Sequence, residues 1–425
     1  MYENPEGAAA RRAATAIAAP RPRRSWRDVL RYGDGIIGSR ARPMMPLDEG
    51  RLLAAAMRRT GLSDFGDPSF CEPLRRLLHS LETESRLTFL GRIGARSDIV
   101  QMLVNRLEIE RDRVRYPEIP RQEIRRPLFI TGLPRSGSTF LHGILAEDPG
   151  NRVPHHWETR EPSPPPESSG RGRDARIARA ARQLRWFYRL APDFRRIHPI
   201  EPEMPEECVV ILSHSFLSFQ FSSTFDVPSY QSWLEAQDLT PAYAFHRRFL
   251  QHLQSRWGGD RWVLKAPPHL PALDALFRVY PDADVVMTHR DPLEVVASVS
   301  SLHFVLRRTF CREIDALRIG PEVAGMLAQD IERGIRARDD GDAPSDRILD
   351  VRYADLMDEP LAVVRRIYRH FDIPLSEVAS SRMRAYVASR PKDRYGAHVY
   401  SLGEFGLLEA VESARYRPYR ERFGV

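Results

Sequence analysis

Lysine is almost missing from this chain. Its 425 residues include 64 Lys and Arg, of which only Lys265 and Lys392 are lysines. A general bias toward arginine accounts for the chain as a whole and makes the two exceptions informative, because a compact ammonium with three rotatable donors offers chemistry that a planar guanidinium does not. Cysteine is also scarce. Cys71, Cys208 and Cys311 are far apart and odd in number, which fits neither a disulfide framework nor a zinc cluster. No stretch nears the ~18 consecutive apolar residues of a membrane span. The best candidate, 209–221, is short and interrupted by Ser, His and Gln. A basic start followed by an apolar core and a cleavage site is lacking too, so no signal peptide is expected and a reducing, cytoplasmic setting fits. Nor is there a large charge excess. The net charge of +7 suits a small anionic ligand as readily as a nucleic acid. Nucleic-acid binding rests only on the tail and the basic pI and is not expected.

What is present is an ordinary globular composition, 42% hydrophobic and 28% charged, with enough apolar sequence for a large core and too much for a disordered chain. Residues 1–25 are rich in Ala, Arg and Pro without a period and read as a disordered tail, with a basic interaction arm as the alternative. Leu52, Leu53, Met57, then Leu77, Leu78, Leu81, then Ile99, Leu103, Leu107 and Ile109 recur at helical spacing around a break at Asp67-Pro68-Ser69. They predict an N-terminal helical subdomain over 26–125. The texture changes at Arg126. Short apolar runs at 127–131, 262–264, 284–287 and 348–351 are each followed by a helical pattern. Strands alternating with helices predict an α/β domain over 126–425, a P-loop-like parallel sheet flanked by helices. Ligands in such folds sit beyond the carboxyl ends of the strands. The Pro-, Ser- and Gly-rich stretch 162–174 predicts an exposed loop, and 175–257 a helical insertion over the cleft.

The strongest motif is Gly132-Leu133-Pro134-Arg135-Ser136-Gly137-Ser138-Thr139, between a predicted strand and a predicted helix. A loop there aims backbone N–H groups and a helix N-terminus at one spot, which suits phosphate or sulfate. Gly137 lets the backbone approach the anion, and Arg135, Ser136, Ser138 and Thr139 add donors. The spacing of the glycines matches the kinase P-loop, but Ser138 stands where that loop has Lys. The strand at 285–287 runs into Thr288-His289-Arg290 rather than an acid, so magnesium-dependent triphosphate transfer is disfavoured. A second motif leaves that strand and enters a helix: Arg290, with Ser298 eight residues on.

Together these elements resemble the sulfotransferases that use 3′-phosphoadenylyl sulfate (PAPS), over about residues 126–410. The loop Pro134-Arg135-Ser136-Gly137-Ser138-Thr139 looks closest to the bacterial and tyrosylprotein branches. The resemblance implies that Arg135, Ser136, Gly137, Ser138 and Thr139 hold the 5′-phosphosulfate and that Arg290 and Ser298 hold the 3′-phosphate, with no metal required. It also implies that Lys265, at the end of a core strand, stabilises the leaving phosphate as charge develops on it. The general base is less constrained. Pro267 occupies the position where cytosolic relatives carry His, and the nearest imidazole is His269. Trp157-Glu158-Thr159-Arg160 matches the E-T-R stretch that supplies the base in the tyrosylprotein branch. Glu158 is therefore assigned as base, with a pKa expected to rise by desolvation beside Trp157, and with His269 or the pair His155 and His156 as alternatives. Tyr353 is expected to pack on the adenine, and Lys392 to close over the 3′-phosphate. Glu206, Glu207 and His214 are expected on one helical stretch, 205–216, with Glu207 and His214 sharing a face at the rim of the acceptor pocket. Phe216, Phe219 and Phe221 read as core. The acceptor class suggested by the aromatic residues of 155–260 is an apolar or aromatic alcohol, lipid-like in character. Two other readings remain open: a divergent P-loop phosphotransferase, and a nucleotide-binding protein without catalysis, in which Lys265 and Glu158 would point away from the cleft.

Overall fold

A computed structural model describes residues 45–168, 172–390 and 401–425. The expected tail over 1–25 and Lys392 lie outside these residues. Five parallel strands, β1 (Leu128–Gly132), β2 (Asn151–Arg152), β3 (Arg261–Lys265), β4 (Asp284–His289) and β5 (Ile348–Arg352), form one sheet in the order β2-β3-β1-β4-β5. Register sets Ile130 beside Lys265 and Gly132 beside Thr288. The carboxyl ends of β3, β1 and β4 therefore meet at one edge, with β5 beside them.

Every residue of β1 and β4 is buried, as expected of strands covered on both faces. Alternation along the strands sorts their side chains into two cores. Leu128, Ile130, Val263, Val286 and Val351 join Leu141, Ile144, Val363 and Ile367 on one side. Phe129, Leu264, Val285 and Met287 join the larger core on the other. The helices Glu49–Thr60, Cys71–Thr83 and Phe89–Arg115 place Leu52, Leu77 and Leu103 in that same larger core. Their ends follow from local chemistry. Asp48 accepts the Arg51 N–H, Gly61 closes the first helix at φ 70°, and Asp67 accepts the Ser69 N–H at the expected break.

Residues 175–257 are helical, as expected, in the segments Ala175–Leu190, Phe194–Ile197, Cys208–Leu212, Gln220–Thr224, Pro228–Glu235 and Thr240–Gln254. Phe216, Phe219 and Phe221 are core residues. The continuous helix expected over 205–216 does not form. Helix begins only at Cys208 and ends at Leu212, and Phe216 takes a left-handed φ of 59°. Glu206 and Glu207 thus precede the helix, and His214 is buried among Asn105 Nδ2 at 2.9 Å and the carbonyls of Val210 and Ile211. The expected shared face of Glu207 and His214 does not exist. Among the described residues no helix is long and apolar enough to cross a membrane.

Candidate active site

The loop after β1 is held open by backbone geometry rather than by side chains. Gly132 has φ 126°, and a Cβ there would lie 2.1 Å from the carbonyl oxygen of Thr288, so glycine is needed for β1 to lie against β4. Arg135 and Gly137 take left-handed φ values of 65° and 84°, and Gly137 caps the helix Ser138–Leu145. Ser136 Oγ donates to the Leu133 carbonyl at 2.5 Å and lies 2.6 Å from Thr288 Oγ1, which in turn donates to Thr131 O at 3.0 Å. The turn is therefore tied to the ends of β1 and β4, and the first N–H groups of the following helix emerge beside it, as an anion site requires.

Lys265, Arg290 and Tyr353 gather at this loop. Lys265 Nζ, almost wholly buried, donates to Thr139 Oγ1 at 3.1 Å. Arg290 Nη1 donates to the Arg135 carbonyl at 2.8 Å, and its guanidinium lies 4.3 Å from the Tyr353 ring centre. Its Nε donates to Glu294 Oε2 at 2.8 Å. Tyr353 begins the helix that follows β5, and a Cβ on Gly137 would lie 3.2 Å from its ring. Ser298 is buried on the helix Pro292–Phe310. The Arg135 side chain turns away from the loop and donates to the Ile197 carbonyl at 2.9 Å. His289, between Thr288 and Arg290, points elsewhere, 2.8 Å from both Tyr419 Oη and Asp350 Oδ1.

Glu158 does not join this group. Its carboxylate is fully buried and accepts from Arg152 Nη2 at 2.6 Å and from the His155 backbone N–H at 2.9 Å, with His155 Nδ1 at 3.3 Å. Arg152 is itself enclosed, with its guanidinium 4.2 Å from the Trp257 ring and 5.0 Å from that of Trp262. The expected rise in pKa is reversed. Burial alone would raise it, but the Arg152 charge and the hydrogen bonds from His155 and Arg152 outweigh burial and hold Glu158 at about 2. The rest of the motif is also engaged: Thr159 Oγ1 donates to His156 O, and Arg160 pairs with Asp98 at 2.7 Å.

His269 is engaged as well. It is fully buried against Phe129, with Nδ1 2.6 Å from Tyr243 Oη, and burial depresses its pKa well below the ordinary value. His156 is committed to Glu206, which also accepts the Glu207 N–H at 2.8 Å. Burial would raise the Glu206 carboxyl, yet the hydrogen bond and charge of His156 hold it at about 2.

The sequence places Glu207 at the rim of the acceptor pocket but does not show that it meets Lys265. Glu207 accepts a hydrogen bond from Lys265 Nζ, is partly exposed, and has His198 Nε2 at 3.8 Å. Two residues beyond Glu207 and three beyond Lys265, Val209 and Pro268 line a small apolar cavity with Leu212, Leu217, Phe219 and Leu239, of about 10 Å³. The sequence signal for Glu207 was its expected place on a shared helical face with His214. Its meeting with Lys265 depends on how the insertion folds back over β3. Among the described residues no group of three or more His, Cys, Asp or Glu side chains is arranged to hold a metal ion.

Comparison with known proteins agrees with this geometry. A model of the sulfotransferase family matches residues 127–377. The omega-hydroxy-beta-dihydromenaquinone-9 sulfotransferases Stf3 of Mycobacterium bovis and Mycobacterium tuberculosis are each 26% identical over 300 residues, which is 67% of this chain and 72% of theirs. The crystal structure of sulfotransferase STF1 from Mycobacterium tuberculosis H37Rv superposes with a TM-score of 0.78 at 34% identity, covering 87% of this chain and 98% of that one. The structure of STF9 from Mycobacterium avium gives 0.79 at 28% identity, covering 89% and 97%.

Proposed function

The chain belongs to the sulfotransferase family, and from that premise we propose that it transfers a sulfuryl group from PAPS to a hydroxyl on an apolar, lipid-like acceptor. The observation that carries the proposal is the meeting of the β1 loop, Lys265 and Glu207 at one edge of the sheet. In this reading the backbone N–H groups of 135–139, with Ser136, Ser138 and Thr139, receive the 5′-phosphosulfate. Arg290 and Ser298 receive the 3′-phosphate, and Tyr353 flanks the adenine. Arg135 contributes its backbone to the loop and reaches the phosphosulfate only by leaving Ile197. Fixed donors of this kind stabilise a leaving phosphate without reorganising during the reaction.

In the transfer, the acceptor oxygen bonds to sulfur as the bond from sulfur to the bridging phosphate oxygen breaks. The acceptor proton passes to a carboxylate, and adenosine 3′,5′-bisphosphate leaves. Lys265 turns its ammonium from Glu207 to the bridging oxygen as charge builds there. That turn frees Glu207 to take the proton, and we assign it as the base. Glu158 is the second reading, supported by the W-E-T-R match, and it requires Arg152 to release the carboxylate. Otherwise Glu158 is a positioning residue that fixes the turn carrying His155 and His156. Support for the acceptor class comes from relatives named for a hydroxylated menaquinone and from the apolar lining that Val209 and Pro268, close in sequence to Glu207 and Lys265, give to a small cavity.

Calorimetric titration with adenosine 3′,5′-bisphosphate tests the donor site. Wild type binds, and Arg290→Ala binds roughly 10- to 100-fold more weakly, the worth of one charge-assisted contact. A folded wild type that ignores this nucleotide and binds ATP with magnesium instead overturns the proposal in favour of a phosphotransferase.

A further inference from the structure

The helix Ala175–Leu190 carries five arginines and no acidic residue. Two of the five are accounted for. Arg176 is buried and paired with Asp174, and Arg179 pairs with Glu161. The other three, Arg182, Arg185 and Arg189, share an outer face with Trp186, at the i, i+3, i+4, i+7 spacing of a single stripe. All four are exposed, and Trp186 shows 63% of its surface to solvent. Among the described residues none of the three arginines has an acidic partner, and Arg189 lies 5.1 Å from the Trp186 ring. Arg195, beyond the helix, is exposed as well. Two other arginine-bearing helices differ: Glu409–Phe423 interleaves its arginines with glutamates, and Phe89–Arg115 places Glu108, Glu110 and Asp112 among its own.

The inner face of the helix is fixed to the body of the protein. Leu184 is buried, Phe187 meets the Phe194 ring edge-on at 5.0 Å, and Tyr188 Oη donates to the Ile200 carbonyl at 2.7 Å. The chain then runs directly into the active site. Ile197 accepts the Arg135 guanidinium, and His198 stands beside Glu207. The stripe and the site are thus separated by one short turn of chain.

We propose that Arg182, Arg185, Trp186 and Arg189 form a docking face for an anionic phospholipid bilayer, against which the enzyme takes up its acceptor. Guanidinium groups pair bidentately with lipid phosphates, and an indole is at home at headgroup level. The choice of a bilayer over a nucleic acid rests on the lipid-like acceptor reading and on the exposed indole set among the arginines. The face does not insert a helix into the membrane, since the apolar side is already packed inward. It adsorbs through charge and one aromatic side chain, so its grip weakens with salt.

The test is flotation of the full chain with phosphatidylcholine vesicles, with and without phosphatidylglycerol, run without acceptor or donor. Wild type floats with the anionic vesicles, and rising salt releases it. The triple variant Arg182→Gln, Arg185→Gln, Arg189→Gln loses roughly a hundredfold in partitioning, from about 1 kcal/mol per arginine. Trp186→Ser loses less, and both variants keep wild-type affinity for adenosine 3′,5′-bisphosphate. Equal flotation of the triple variant, absence of wild-type flotation, or binding of heparin but not vesicles each overturns the proposal. Sulfation of a detergent-dispersed apolar alcohol is assayed in parallel, so failure to dock is distinguishable from failure of the acceptor reading.

Discussion

Two pairs of opposite charge, Arg152–Glu158 and Lys265–Glu207, have the same chemical make-up and opposite character. In the first, both side chains are buried to within 3% of completeness, the carboxylate accepts from Arg152 Nη2 and the His155 backbone N–H, and the cation lies against two indoles. In the second, the ammonium is buried but Glu207 is 16% exposed, and Lys265 divides its donors between Glu207 and Thr139. A guanidinium caged by tryptophans cannot leave its partner without stranding a buried anion. An ammonium on four methylenes can pivot between acceptors. The contrast is what favours, in the proposed function, a structural role for the more deeply buried pair and a chemical one for the other.

The largest expected effect separates the carboxylates directly. Glu207→Gln lowers kcat about 10²- to 10⁴-fold, the worth of a general base, while binding of adenosine 3′,5′-bisphosphate persists. Glu158→Gln leaves kcat near wild type and shows its effect in urea unfolding. The reverse pattern would make Glu158 the base. Lys265→Met is next, with a loss of about 10²- to 10³-fold in turnover and little change in the urea midpoint, because Glu207 can still reach water. Arg152→Met should do the opposite, costing about 3–5 kcal/mol of stability by leaving Glu158 buried without its cation, with the folded fraction still active.

Acid stability sharpens the same contrast. His142, His214, His246 and His303 are buried and held neutral, each depressed to about 3 chiefly by burial. The unfolded chain takes up these protons first, so their contribution is intact above pH 6.5 and is lost as pH falls below it. Glu158 and Glu206, each held at about 2, contribute stability that is complete above their ordinary value of 4.5 and lost only on further acidification. Urea midpoints measured from pH 8 downward should therefore decline in two stages, and Glu158→Gln should diminish only the second. The smallest effect concerns the loop. Gly137→Ala imposes a left-handed φ of 84° on a residue with a Cβ, for about 1–2 kcal/mol. The neighbouring Leu356 methyl, 2.9 Å from that Cβ, can give way, so the loss appears in nucleotide affinity and a modest drop in midpoint.

The loop after β1 was legible because its signals are local. Glycines at 132 and 137, a strand before them and a helix after them specify the turn without reference to the rest of the chain. Lys265 stood out through its rarity, and Arg290 through its eight-residue spacing to Ser298, which carried the family resemblance. The acceptor side was not, because its decisive contacts join residues far apart in sequence. Glu207 meets Lys265 across 58 positions, and no periodicity encodes that distance. The two-residue strand β2 is too short to leave a pattern, yet it places Arg152 where Glu158 is captured. Reading 205–216 as one helix then tied Glu207 to His214, when the helix actually starts at Cys208.

The burial of Lys265 in a chain with only one other lysine gives the enzyme a built-in chemical reporter. An amine-directed reagent meets few side-chain targets here, and one of them lies at the centre of the site. The modification rate at Lys265, read by peptide mass spectrometry, then follows every event that opens, fills or closes the cleft, with no label having to be engineered in.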